Sequence, residues 1–434
     1  MLVRMHIRLL LVLAYGLAVP TLALAQSDVE VNANVEFNFS TPGARSLGMG
    51  GSYLGSVDDA TAAYSNPAGL LQLSKPEVLV EGRHWRYQTP FADRGRASGT
   101  PTGTGADTLG GVTLSTAESE LDGISYAALV VPRPTWALAA YYHQVADFQS
   151  DFETGGIFSL GFRLRPVQST YALEISEAGL AFARQWQNGV AVGIGVSGYS
   201  FRLDSFTQRF DTSTYYAPAN FSRDSKVNFQ TQSGEQRRVG GSLGLLWDRG
   251  GPMSLGMVYR FGPRFDMEVA SSNMSPGVSV PPRQEVRFAG IFDLPDVFGG
   301  GFTLRPSQRL TMSLDVNRVF YSQMIKDFVI IESGGASPED FVLEDATEVH
   351  AGVEYLFTGL RLPIALRAGA WYDPDHRLRA VTGPEFNQIL FFAGEDQIHG
   401  TAGLGLSLGA VQLDAAADIS DRNKTASVSA AIRF

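Results

Sequence analysis

A two-residue period recurs along most of this chain, and it limits the fold more than any other feature. Val190, Val192, Ile194 and Val196 alternate with Ala191, Gly193, Gly195 and Ser197. Leu310, Met312, Leu314 and Val316 alternate with Thr311, Ser313, Asp315 and Asn317. Val411, Leu413, Ala415, Ala417 and Ile419 alternate with Gln412, Asp414, Ala416 and Asp418. Successive strand side chains point to opposite faces, so each segment is a ribbon with one apolar face and one polar or small face. A soluble sandwich turns the apolar face inward, whereas a transmembrane barrel turns it to lipid. Alternation alone does not choose between them.

The links between segments do choose. Strands are predicted near 76–88, 121–131, 135–147, 171–187, 190–203, 236–248, 253–270, 285–305, 309–320, 347–358, 363–373, 398–408, 411–420 and 425–434. Links 89–120, 149–170, 204–235, 271–284, 321–346 and 374–397 are long. Pro132-Arg133-Pro134, Asn188-Gly189, 248–252, 305–308, 359–362 and Gly409-Ala410 are tight, and Asn-Gly is a strong hairpin signal. Only 421–424 is short where a long link is due. Val286 to Arg305 reads as one strand broken at Leu294-Pro295-Asp296, because two strands would reverse every later link and make the total odd. Tight turns at one end and long loops at the other belong to outer-membrane barrels. The expected fold is therefore all-β: an antiparallel transmembrane barrel of fourteen strands.

Aromatic residues fit two interfacial belts. Trp186, Trp247, Phe357 and Phe434 fall at the tight-turn ends, and Phe320, Tyr321, Trp371 and Tyr372 near the long loops. The sequence stops on Ala426, Val428, Ala430, Ile432 and Phe434, all on one face, which resembles the last strand of such barrels. Closure is demanded because unpaired backbone groups in hydrocarbon cost several kcal/mol each.

Of the 434 residues, 18% are charged and the net charge is −10, which disfavours nucleic acid as a partner. There is no cysteine, so neither a disulfide framework nor thiol chemistry is available. Residues 1–25 read as a signal peptide, with Arg4, His6 and Arg8 before an apolar run and Ala23-Leu24-Ala25 before the cleavage point. Residues 26–75 read as a plug, or hatch, and 76–434 as the barrel. Within the plug, Ser56 followed by Asp58 and Asp59 predicts a capped helix of about two turns to Tyr64. Asn66 before Pro67 predicts a second helix start.

The Gly-rich opening, the run Asp58-Asp59-Ala60-Thr61-Ala62-Ala63 and Asn66-Pro67-Ala68 resemble the hatch of FadL-type outer-membrane transporters. Met253 to Arg260, Leu294-Pro295-Asp296 and Leu366 to Ala370 resemble strands of that family. The resemblance implies passive uptake of long-chain fatty acids or other hydrophobic compounds by a monomer in the Gram-negative outer membrane, surrounded by its lipid. It implies gating by hatch residues Asp58, Asp59, Asn66, Pro67, Ala68 and Gly69. It also implies a lateral exit at a kinked third strand, but Thr135 to Val145 holds no Gly or Pro and predicts an unbroken strand. A related branch, barrels that assist protein secretion, shares the opening motif, so a plugged docking scaffold is the alternative.

No catalytic constellation, metal motif or cofactor motif emerges, and the chain reads as a non-enzyme. Asp373-Pro374-Asp375-His376 lacks the rest of a calcium loop and reads as a solvated tip. By alternation Arg305, Arg309, Asp315, Asn317, Glu348, His350, Glu354, Arg367 and His399 face inward. Either they brace and solvate the wall, or Arg309 or Arg367 receives a ligand carboxylate. Link 149–170 carries Phe152, Phe158 and Phe162 among other apolar residues, either packed inward or forming a capture patch.

Overall fold

A computed structural model of the chain describes residues 29–36, 38–101, 110–159, 163–210, 226–273, 284–325, 338–359 and 361–434. The signal-peptide reading falls outside these residues. Fourteen antiparallel strands form the wall. They are β1 (Glu77–Arg96), β2 (Gly111–Pro132), β3 (Trp136–Glu153), β4 (Val167–Gln185), β5 (Val190–Phe210) and β6 (Lys226–Asp248). Then come β7 (Met253–Phe261 and Arg264–Asn273), β8 (Gln284–Asp293 and Val297–Ser307), β9 (Leu310–Val319), β10 (Ala346–Phe357) and β11 (Ile364–Asp373). The last three are β12 (Gln397–Leu408), β13 (Val411–Ile419) and β14 (Asn423–Arg433). The barrel closes where β14 pairs with β1, Arg433 opposite Glu77 through Asn423 opposite Tyr87.

The break expected in β8 lies at Leu294–Asp296. Its counterpart in β7, at Gly262–Pro263, interrupts a stretch, 253–270, that the sequence predicts as one continuous strand. The two breaks face each other: Leu294 N–H donates to the Pro263 carbonyl (3.1 Å), and Gly262 N–H to Asp296 Oδ1 (3.0 Å). Pro263 has no N–H to give a ladder, so the interruption costs the sheet little at that point. β1 to β6 run further toward the long loops than alternation indicated.

The apolar face looks outward. Ile194 is 47% and Leu314 48% exposed, and Leu180, Leu243, Leu255, Leu404 and Val428 share that orientation. No helix among the described residues is long and apolar enough to cross a membrane. Exposed ion pairs lie beyond the band on the long-loop side: Arg86–Glu118 at 2.9 Å, Arg202–Asp204 at 3.1 Å and Arg238–Asp266 at 2.8 Å. An apolar girdle edged by charge is the profile a bilayer requires. Trp186, Phe357, Phe434 and Tyr372 are exposed, as belts need. Trp371 and Tyr321 are not belt residues: Trp371 stacks on His350 and His399, and Tyr321 is buried against Phe39 and His376.

The interior is filled. Short helices α1 (Val29–Asn32), α2 (Ala44–Gly48) and α3 (Ala62–Ser65), with a 3-10 turn at Pro67–Gln72, form the hatch. Met49, Tyr53, Val57 and Leu70 pack with Leu79, Tyr126 and Val130 of the wall. Nearer the long loops Val31 packs with Phe91, Phe148, Phe201 and Phe265.

Candidate conduit: hatch, wall window and lumen cavity

The hatch sits backbone-first against the wall. Gly193 and Gly244 face Asn66, Pro67 and Ala68, Gly256 faces Leu54, and Gly352 and Gly369 face Met49 and Gly50. A Cβ at any of these would overlap hatch main chain. Wall carboxylates then take the hatch N–H groups that lack helical partners. Glu81 accepts from Gly43 N–H (2.8 Å), Glu77 from Ala60 (2.7 Å), and Asp315 from Tyr53 and Leu54 (2.6 and 2.8 Å). Such charge-assisted bonds to otherwise orphaned donors are strong ones.

Arg45 of α2 bonds Glu354 through Nε (3.0 Å) and Nη2 (2.9 Å) and also pairs with Asp58. Asp59 accepts from Tyr53 OH (2.9 Å) and Thr61 N–H (3.0 Å), and burial pushes its carboxyl above the ordinary value. Asn66 caps the 3-10 turn as expected, its Oδ1 accepting from Ala68 N–H at 3.2 Å, while its Nδ2 donates to Leu54 and Leu245 carbonyls (3.1 Å each). Gly69 lies against Val57. The Ser56 capping box is not used. Its hydroxyl faces Ser313 Oγ (3.3 Å), and the helix begins only at Ala62, because Asp59 bonds the Thr61 N–H and Ala60 is pinned to Glu77.

The third strand does break from its neighbour. β2 and β3 pair only from Pro132 opposite Ala137 to Tyr126 opposite His143. Beyond that, β2 continues along β1 to Val112, and β3 follows β4 after a register shift between Gln144 and Ala146. A β-bulge needs one extra residue, not a Gly or Pro, which is why Thr135 to Val145 gave no warning. The freed Val145 carbonyl is satisfied from inside by Ser40 N–H at 3.0 Å, and Ser40 Oγ contacts His143 Nε2 at 3.2 Å. Further along, the hydroxyls of Tyr87 and Ser119 both donate to the Gln149 carbonyl, at 2.6 and 2.7 Å. The result is a bounded window in the wall between β2 and β3.

Behind the window lies a cavity of about 150 Å³, lined by the hatch at Phe39, Ser40 and Gly51, by β3 at Ala146 and Phe148, and by His350, Trp371 and His399 across the lumen. On the tight-turn side of the hatch a polar vestibule of about 360 Å³ includes Arg45, Glu354, Arg367 and Arg433.

The two candidate carboxylate receivers are not brought together. Arg367 donates to Glu354 (Nε, 2.6 Å) and Asp414 (Nη1, 2.7 Å) below the hatch. Arg309 does not face inward: it is exposed at the turn between β8 and β9, where the chain has left the strand alternation. Phe152 packs on Phe91 with ring centroids 5.0 Å apart, and Phe158 is buried where residues 156–158 run alongside β1. Phe162 lies outside the described residues. Alternation set Asp418 of β13 on the polar face but did not bring out Glu77, Glu81 and Arg83 on the lumen face of β1. The signal was there, since buried acids on a lipid-bound ribbon can only face inward. The expected loop tip Asp373-Pro374-Asp375-His376 is instead buried at His376.

No protein-family model matches the chain, and no curated protein matches it in sequence. Solved structures do match in three dimensions. A Pseudomonas aeruginosa FadL homologue aligns with a TM-score of 0.64 at 15% identity, covering 92% of this chain and 100% of that one. The P. putida toluene transporter TodX gives 0.60 at 14% identity over 92% and 99%. The Ralstonia pickettii toluene transporter TbuX gives 0.58 at 16% over 92% and 99%. With its plugged and closed wall of fourteen strands, the chain has the fold of FadL-type outer-membrane barrels.

Proposed function

We propose that the protein is a passive outer-membrane channel for hydrophobic small molecules, long-chain fatty acids or aromatic hydrocarbons among them. Solute enters at the long-loop end and leaves through the window between β2 and β3 into the bilayer. The observation that carries this reading is the bulge at Val145, which parts β3 from β2 directly beside an interior cavity. An apolar solute leaving sideways never has to cross the polar vestibule beneath the hatch. The hatch gates this route. Ser40 touches the bulge and belongs to the moving part, while Asn66-Pro67-Ala68, docked on Gly193 and Gly244, anchor the hatch. The solved neighbours named as toluene transporters support the solute class.

The test is uptake of radiolabelled toluene and of a long-chain fatty acid in proteoliposomes. Ala146→Trp, which fills the window, should cut uptake about tenfold, and deletion of residues 26–73 should raise conductance. Uptake untouched by Ala146→Trp would contradict the lateral route, and conductance unchanged by the deletion would contradict gating. A second reading, a permanently plugged barrel that docks secreted proteins, draws on the tight attachment of the hatch. Co-purification of a protein substrate together with absent solute uptake would favour it.

A further inference from the structure

The cavity behind the window is not simply greasy. Phe39, Tyr87 and Phe148 give it aromatic walls, while Trp371 and His399 close its far side. The His399 and Trp371 rings stack at 3.8 Å, and both are held by one carboxylate: Trp371 Nε1–H donates to Asp418 Oδ2 (3.0 Å), and His399 Nδ1 bonds Asp418 Oδ1 (2.9 Å). A carboxylate only accepts, so Nδ1 carries the proton, and in the neutral imidazole Nε2 is then an acceptor. That Nε2 is buried and has no hydrogen-bond partner. A buried polar atom left unpaired is costly, and a molecule able to donate to it recovers that cost.

Size and charge narrow the occupant. A cavity of about 150 Å³ takes a benzene-sized molecule. The lining holds five carboxylates against three guanidinium groups, which disfavours an anionic head. We propose that this cavity is a subsite for a neutral monoaromatic bearing a hydroxyl donor, of the phenol class, with its ring against Phe148 and Tyr87 and its O–H on His399 Nε2. This deepens the transport reading and rests on it: the subsite favours hydroxylated aromatics over the parent hydrocarbons on their way to the window.

The test compares p-cresol, toluene, 4-methylanisole and p-toluate binding to the purified full-length barrel in detergent, by equilibrium dialysis. These share a shape and differ in the polar group. One hydrogen bond to a buried acceptor corresponds to roughly a tenfold preference, so p-cresol should bind about that much more tightly than the other three. In His399→Phe that preference should vanish while toluene affinity is kept, and His399→Gln, which retains an acceptor, should restore part of it. Equal affinity for p-cresol and 4-methylanisole in the unaltered protein would overturn the proposal without need of any variant, as would a cresol preference that survives His399→Phe. Toluene uptake in proteoliposomes, measured alongside, separates the two ideas: uptake without cresol preference sinks only the subsite, whereas no uptake sinks the transport reading.

Discussion

The Arg45 guanidinium of the hatch meets the Glu354 carboxylate of the wall along its edge, Nε to Oε2 at 3.0 Å and Nη2 to Oε1 at 2.9 Å. Arg367 approaches the same carboxylate from the other side at 2.6 Å. Two cations on one buried anion make that anion hard to remove. Glu354→Gln leaves both guanidinium groups facing a neutral amide, and breaking a buried pair in this way costs about 3–5 kcal/mol. The expected outcome is a hatch that opens to protease within an intact barrel, read as faster cleavage in the segment 43–73 with unchanged heat-modifiable mobility on a gel.

Gly244 contributes through what it lacks. Its missing side chain is the space that Asn66 Oδ1 and Pro67 occupy. Gly244→Val should force the turn off the wall, at about 1–3 kcal/mol for overpacking. Thermal unfolding of the purified protein should begin several degrees lower, whereas Gly251→Val, at a turn where a Cβ meets nothing and φ is not positive, should leave the midpoint unchanged.

The far edge of the window is held by two hydroxyls on the Gln149 carbonyl. Tyr87→Phe combined with Ser119→Ala removes both, each bond being worth about 0.5–1.5 kcal/mol. Solute uptake in proteoliposomes should rise severalfold. A fall in uptake would mean that these bonds hold the window open rather than restrain it.

His376 lies in the link after β11, buried and stacked flat on Tyr321 at 4.3 Å. Burial alone would lower its pKa, but the Asp373 carboxylate at 3.4 Å, with Glu36 beyond it, pushes it up to about 10. Because the folded value lies above the unfolded one of about 6.5, the stabilisation is complete below that pH and is lost as pH rises through about 10. The link should therefore become more susceptible to protease between pH 7 and 10. His376→Phe should flatten that dependence.

Strand number, link alternation and the outward apolar face were legible because a bilayer imposes one rule on every spanning ribbon. The site was less legible, for local reasons. A bulge built from Gln144, Val145 and Ala146 carries no mark in residue type, since its spare carbonyl is satisfied by Ser40 a hundred residues away. Trp371 looks like an interfacial aromatic until Asp418 and His399 are placed beside it. Arg309 obeys alternation on paper but belongs to the turn, where the period has ended. The helix expected from Ser56 gave way to tertiary contacts, because Glu77 and Asp59 claim the N–H groups a cap would have served.

Glu77 has one further implication, for biogenesis. It bonds Ala60 of the hatch and also Arg433 on the closing strand, so plug and seam share a single carboxylate. Seating the stopper and sealing the cylinder therefore draw on the same acid, so each event makes the other more favourable.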